Sequence, residues 1–89
     1  MTPREIIEAN SDAGKRGALA IWTVYRSPKD RPGEIVARMH EVARGVSQAS
    51  ECMFADKELE RVRQRLYEAG LTRLDRNERD DPVIVETWI

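Results

Sequence analysis

The chain has one cysteine and one histidine among its 89 residues. A single cysteine, Cys52, excludes an internal disulfide and a cysteine zinc cluster, and it fits a reducing compartment. A single histidine, His40, excludes the paired-histidine motifs of zinc enzymes. Aromatic residues are only 6 % of the chain, and neither sign of charge dominates. Fifteen Lys and Arg stand against sixteen Asp and Glu, a net charge of −1. A dedicated nucleic-acid binder carries a basic surplus and a DNA mimic a large acidic one, so the balance speaks against both. No apolar run approaches the ~18 residues of a membrane span, and the N-terminus lacks an apolar signal core. The expectation is a cytoplasmic chain with no membrane partner. No glycine-rich phosphate loop, internal repeat or low-complexity tract occurs, and no motif calls for a cofactor.

What is present is 40 % hydrophobic and 35 % charged residues, arranged in periodic blocks. That is the composition of one small globular domain spanning residues 1–89. A chain this short buries only roughly 60–65 % of the surface it exposes unfolded, so its stability is modest. Twelve of the basic residues are arginine and three are lysine.

The sequence "TPRE" has capping-box spacing: Thr2 caps, Pro3 opens the helix and Glu5 reaches back. A short N-terminal helical extension over 1–17 follows, with Ile6, Ile7 and Ala9 as its apolar patch and Gly14 and Gly17 as breakers. "ALAIWTVYR" and "EIVARMHEV" alternate as strands. Between them "RSPKDRPGE" holds Pro28, Pro32 and Gly33, which stop both strands and shape a wide hairpin loop. "ARGVSQASECMF" reads as loop, with at most a turn of helix. Residues 56–69 form the main helix, with Asp56 as N-cap and Leu59, Val62, Leu66 and Ala69 on one face. Gly70 suits the C′ position and Leu71 the contact that accompanies it. "TRLDRN" is a short strand, "ERDDP" a turn and "VIVETWI" the last strand. The predicted fold class is α+β: a four-stranded antiparallel sheet with the main helix on one face, in the order α-β-β-α-β-β.

If helix 56–69 packs on Ile21, Tyr25, Ile35, Ala37, Met39, Val83, Val85 and Ile89, the other face carries Trp22, Val24, Val36, Arg38, His40, Val42, Ile84, Glu86 and Trp88. That face is too apolar to be merely wet. Its occupant is the N-terminal helix through Ile6 and Ile7, a second copy of the chain, or a different partner. Arg38 and Glu86 are expected to pair at its edge.

Catalysis finds little support. His40 lacks a partner of fixed type nearby in sequence, and Cys52 lacks an oxyanion hole and an orienting group. Glu78, Asp80 and Asp81 form an acidic cluster, but "RDDP" before a strand is turn chemistry first. Arg61 and Arg65 share a helix face, and with Arg73, Arg76 and Arg79 they could contact phosphate. A salt-bridged solvent face is favoured, because no aromatic residues interleave with them.

Together "WTVYRSPKDRPGEIVAR", "LERVRQRL", "GLTRL" and "DDPVIVETWI" resemble a group of short uncharacterised proteins of bacteria and their phages or prophages. The resemblance covers residues 19–89, with Arg31 and Ile35 where such proteins often carry aromatics. It implies a mobile-element setting, in which small proteins bind host or rival machinery, for example as inhibitors of a defence nuclease such as a CRISPR effector. The expected function is therefore non-enzymatic: a protein partner, or a second copy in a homodimer, bound through Trp22, Val24, Val36, Arg38, Ile84, Glu86 and Trp88 or through the 26–34 hairpin tip. The alternative is a weak nucleic-acid-binding accessory protein using Arg61, Arg65, Arg73, Arg76 and Arg79.

Overall fold

Thr2 starts the first helix, α1 (Pro3–Lys15), in a computed structural model that describes residues 1–89. The Thr2 hydroxyl accepts the Glu5 amide at 3.2 Å, and the Glu5 carboxylate accepts the Thr2 amide at 2.9 Å. These bonds, the one with the Thr2 backbone first, hold the Glu5 carboxyl below its ordinary value. Gly14 does not break the helix as the sequence reading expects. The helix continues through it and ends at Gly17, whose φ is 75°. The Gly17 and Ala18 amides return to the carbonyls of Gly14 and Ala13, closing the last turn in the manner a C′ glycine permits.

Strand β1 (Leu19–Arg26) pairs antiparallel with β2 (Ile35–Ala43). The loop between them closes as a hairpin: the Ser27 amide donates to the Glu34 carbonyl at 2.7 Å and the Gly33 amide to the Ser27 hydroxyl at 2.9 Å. Next comes β3 (Val46–Asp56), eleven residues long, where the sequence reading expected a loop. Arg44 and Gly45, with φ of 53° and 77°, make a two-residue turn between β2 and β3. Positive φ at both central positions is the geometry whose twist matches paired strands. Extra residues in β3 bulge out opposite Met39, and Ser50 closes the gap by donating to the Met39 carbonyl and accepting the Cys52 amide.

Helix α2 (Leu59–Glu68) follows, then β4 (Arg73–Asp75) and β5 (Ile84–Trp88). Glu58, not Asp56, is the N-cap residue; Asp56 accepts the Glu58 amide at 3.0 Å just before the helix. The C-terminus matches expectation. Gly70 takes φ 84°, and the Leu71 amide bonds the Leu66 carbonyl. The sheet therefore has five strands, not four, in the order β3-β2-β1-β5-β4.

Register decides which side chains meet the helices. Trp22 lies opposite Met39, and Val24 opposite Ala37. Odd-numbered residues of β1 thus share a face with even-numbered residues of β2. This inverts the expected phase of β1: Ile21 and Tyr25 face away from the core, and Trp22 and Val24 face into it. On the other side Trp88 lies opposite Trp22, and Glu86 opposite Val24. Both helices cover this one face. Ile6 and Ala13 of α1 and Val62 and Leu66 of α2 join Trp22, Val24, Ile35, Ala37, Met39, Phe54 and Trp88 in a single core. The N-terminal helix is part of that core and not an extension beside it.

Candidate interaction surface

The seven residues expected to form one patch are split by the sheet. Trp22, Val24, Glu86 and Trp88 lie beneath the helices and are buried. Val36, Arg38 and Ile84 lie on the opposite face, and Val36 too is buried, leaving 2 % exposed. The tryptophans were expected to be a docking surface. They are core because their indole N–H groups find partners there. Trp22 donates to Asn10 Oδ1 at 2.8 Å, and Trp88 to Glu86 Oε2 at 2.7 Å. A buried indole needs such a partner.

Glu86 does not pair with Arg38, since the two are on opposite faces. Its carboxylate receives Arg63 of α2, with Nη2 at 2.7 Å and Nε at 3.1 and 3.2 Å from its oxygens. Arg63 also donates to Glu60 at 2.8 Å. The hydrogen bond with Glu86 is the main cause that raises the Arg63 pKa. Arg63 thereby pins α2 to β5, and Trp88 of β5 itself takes a further share of the buried carboxylate.

The arginines of the nucleic-acid alternative are dispersed. Arg61 and Arg65 both approach Asp56, at 3.8 and 3.3 Å, and Arg65 lies 5.4 Å over the Phe54 ring. The Glu58 amide, followed by these two cations, pulls the Asp56 carboxyl below its ordinary value. Arg73 meets Asp75 at 4.0 Å, and Arg76 donates to the Asp80 carbonyl at 2.8 Å. Arg79 is exposed on the same loop. In that loop the Asp80 and Asp81 carboxylates accept the Asn77 and Val83 amides, which is the turn chemistry the sequence suggests.

Neither helix covers the other face, and only the hairpin loop reaches over part of it, at Pro28 and Asp30. Cross-strand pairing sets its side chains in rows. One runs Ile21, His40, Ala49; a second Leu74, Thr87, Thr23, Arg38, Met53; a third Ile84, Tyr25, Val36, Ala55. Leu19, Leu74 and Ile89, all on this face, are 57 %, 43 % and 44 % exposed. They make up half of the six large hydrophobic residues the protein exposes. Thr23, Arg38, His40 and Thr87 stand among these apolar side chains, and exposed apolar surface with a polar surround marks an interaction site.

Near its centre is a cluster the sequence did not reveal. The Tyr25 hydroxyl and His40 Nε2 are 3.1 Å apart. Beside them Arg38 sits at the rim of an open depression of about 360 Å³, with Val36 and Pro28 in its lining and Asp30 opposite. Burial, and then the Arg38 charge, lower the His40 pKa. Alternation in β1 predicts a core position for Tyr25; only the β1–β2 register brings it beside His40.

No family model matches the chain, and neither the curated proteins nor the solved structures include a match. No helix of the structure is long and apolar enough to cross a membrane.

Proposed function

We propose that this is a non-enzymatic interaction protein that binds a protein partner through the uncovered face of its sheet. One observation carries the proposal: both helices lie on the same side, and neither covers the rows through Ile21, Thr23 and Ile84. The cluster on that face supports binding more than catalysis. Tyr25, His40 and Arg38 offer hydrogen-bond donors, but no nucleophile with a base and an oriented third group accompanies them. The resemblance of residues 19–89 to short bacterial and phage proteins extends the proposal to an inhibitor of host machinery, such as a defence nuclease.

A photo-crosslinking residue at Thr23, in the middle of the bare face, is expected to trap one discrete protein in the native host. The same residue at Tyr67, on the outer side of α2, is expected to trap none, and Ile21→Lys should abolish the Thr23 product. Equal labelling from both positions would end the reading. A dimer in light scattering that Ile21→Lys dissociates would replace the foreign partner with a second copy. Salt-sensitive retention on DNA that Arg73→Ala with Arg76→Ala removes would turn the reading to nucleic acid.

A further inference from the structure

Of the three half-buried arginines, Arg38, Arg63 and Arg65, Arg38 has the weakest partners. A guanidinium carries five N–H donors. Its hydrogen-bond acceptor is the Met53 thioether, 3.4 Å from Nη2, and a thioether is a weak acceptor. The nearest carboxylate, Asp30, is 3.5 Å away, 63 % exposed, and on the hairpin loop instead of the sheet. A pair so exposed and so long contributes little. Arg38 lines the same depression as Tyr25 and His40. The lining supplies apolar surface from Val36 and Pro28 and a polar side made of Arg38, His40 and Tyr25. Asp30 at the rim is the only carboxylate lining it.

We propose that this depression is the specificity pocket of the bare face and receives a carboxylate side chain, Asp or Glu, of the protein partner. The inference rests on the reading of that face as protein-binding and names the partner chemistry it selects. An incoming carboxylate takes the bidentate geometry that a guanidinium matches. It displaces Asp30, which then swings into solvent with its loop. Apolar neighbours of the carboxylate cover the flanking rows at Ile21 and Ile84. The Tyr25 hydroxyl and the His40 imidazole, hydrogen-bonded to each other, add a second polar group to the pocket. The groups that surround the imidazole are Arg38 on its own strand, Tyr25 from β1 and Asp30 from the loop; its β3 neighbour is the uncharged Ala49. The bound carboxylate is thus the strongest negative charge His40 would meet.

The single histidine makes the test direct, because one imidazole gives one set of ring-proton resonances in the whole protein. The probes are two capped pentapeptides of isoleucine and threonine with a central glutamate or a central glutamine, together with inorganic phosphate. The glutamate peptide is expected to move the His40 resonances saturably and to raise the pH at which they titrate. The glutamine peptide should bind about tenfold more weakly, the loss of one charged hydrogen-bonding group. Arg38→Met should lose the preference for glutamate. Asp30→Asn should tighten the glutamate peptide about two- to threefold, because the internal competitor is gone. A merely structural role for Asp30 would give no gain.

Indistinguishable binding of the two peptides would overturn the proposal, as would His40 resonances that no peptide moves. Phosphate binding more tightly than the glutamate peptide would also overturn it and assign the pocket to a phosphate-bearing ligand. Unchanged tryptophan fluorescence from Trp22 and Trp88 checks that each variant is folded. If crosslinking at Thr23 persists while the peptides fail, the carboxylate assignment falls and the docking face stands. If both fail, the docking face falls as well.

Discussion

Arg63 and Arg38 leave nearly the same fraction of their side chains exposed, 29 % and 30 %. Arg63 lies on the sealed side of the sheet and meets two carboxylates through four short contacts. Arg38 lies on the bare side and meets a sulfur at 3.4 Å and an exposed loop aspartate at 3.5 Å. Exposure alone would rank them as equals. Their partners distinguish them: Arg63 ties a helix to the sheet, whereas Arg38 has a weak acceptor and an exposed loop carboxylate. The same contrast runs through the aromatic residues. Trp22 packs 5.9 Å from Phe54 and is fully buried, whereas Tyr25, three residues on, holds its hydroxyl to a histidine at the surface of the other face.

The contrast can be tested by paired substitutions. Leu66→Ala, in the helix that seals the core, is expected to cost about 3–4 kcal/mol in urea unfolding. Ile21→Ala, on the bare face, should cost about 1 kcal/mol. Comparable losses would mean that the two faces are not energetically distinct. Arg63→Met is the next largest. It strands the Glu86 carboxylate and should cost about 3 kcal/mol, while Arg38→Met costs under about 0.5 kcal/mol. A large loss from Arg38→Met would show that its contacts are structural after all.

Ser50→Ala removes the hydroxyl that bridges the β3 bulge and should cost about 1 kcal/mol by the same unfolding measurement. The smallest effect is the pH dependence carried by His40. Its folded pKa lies below the ordinary 6.5, so the unfolded chain takes up the proton first as pH falls. The stability it contributes is complete above 6.5 and is lost as pH drops through the depressed folded value. Urea midpoints measured on either side of 6.5 should show this decline, and His40→Gln should flatten it.

The helices were legible because their signals are local. Thr2, Pro3 and Glu5 fix one terminus within four residues, and Gly70 with Leu71 fixes another. Val62 and Leu66 repeat at helical spacing and are buried as expected. Strand β3 was obscured by its own composition. "VSQASECMF" alternates poorly because the bulge at 50–52 shifts the pattern part-way along, and its first four residues are exposed. The signal that could have found it was "ARGV", an X-Gly pair between apolar runs at the spacing of a tight hairpin. The faces were missed for a different reason. Each strand alternates visibly, but phase between strands depends on register. Tyr25 and Trp22 are both credible core residues until Arg26 is paired with Ile35.

The bulge in β3 also bears on how the protein behaves in a crowded compartment. At eleven residues β3 is the longest strand and forms one border of the sheet; β4, the other border, has three residues. A long straight border invites a neighbouring molecule to add a strand, and each addition presents the next. The bulge at 50–52, held by Ser50 between the Met39 carbonyl and the Cys52 amide, breaks that border into two short runs. Neither run is long enough to template a growing ribbon. Interrupted in this way, the longer border of the sheet is a poorer template for fibre growth than an unbroken strand of eleven residues.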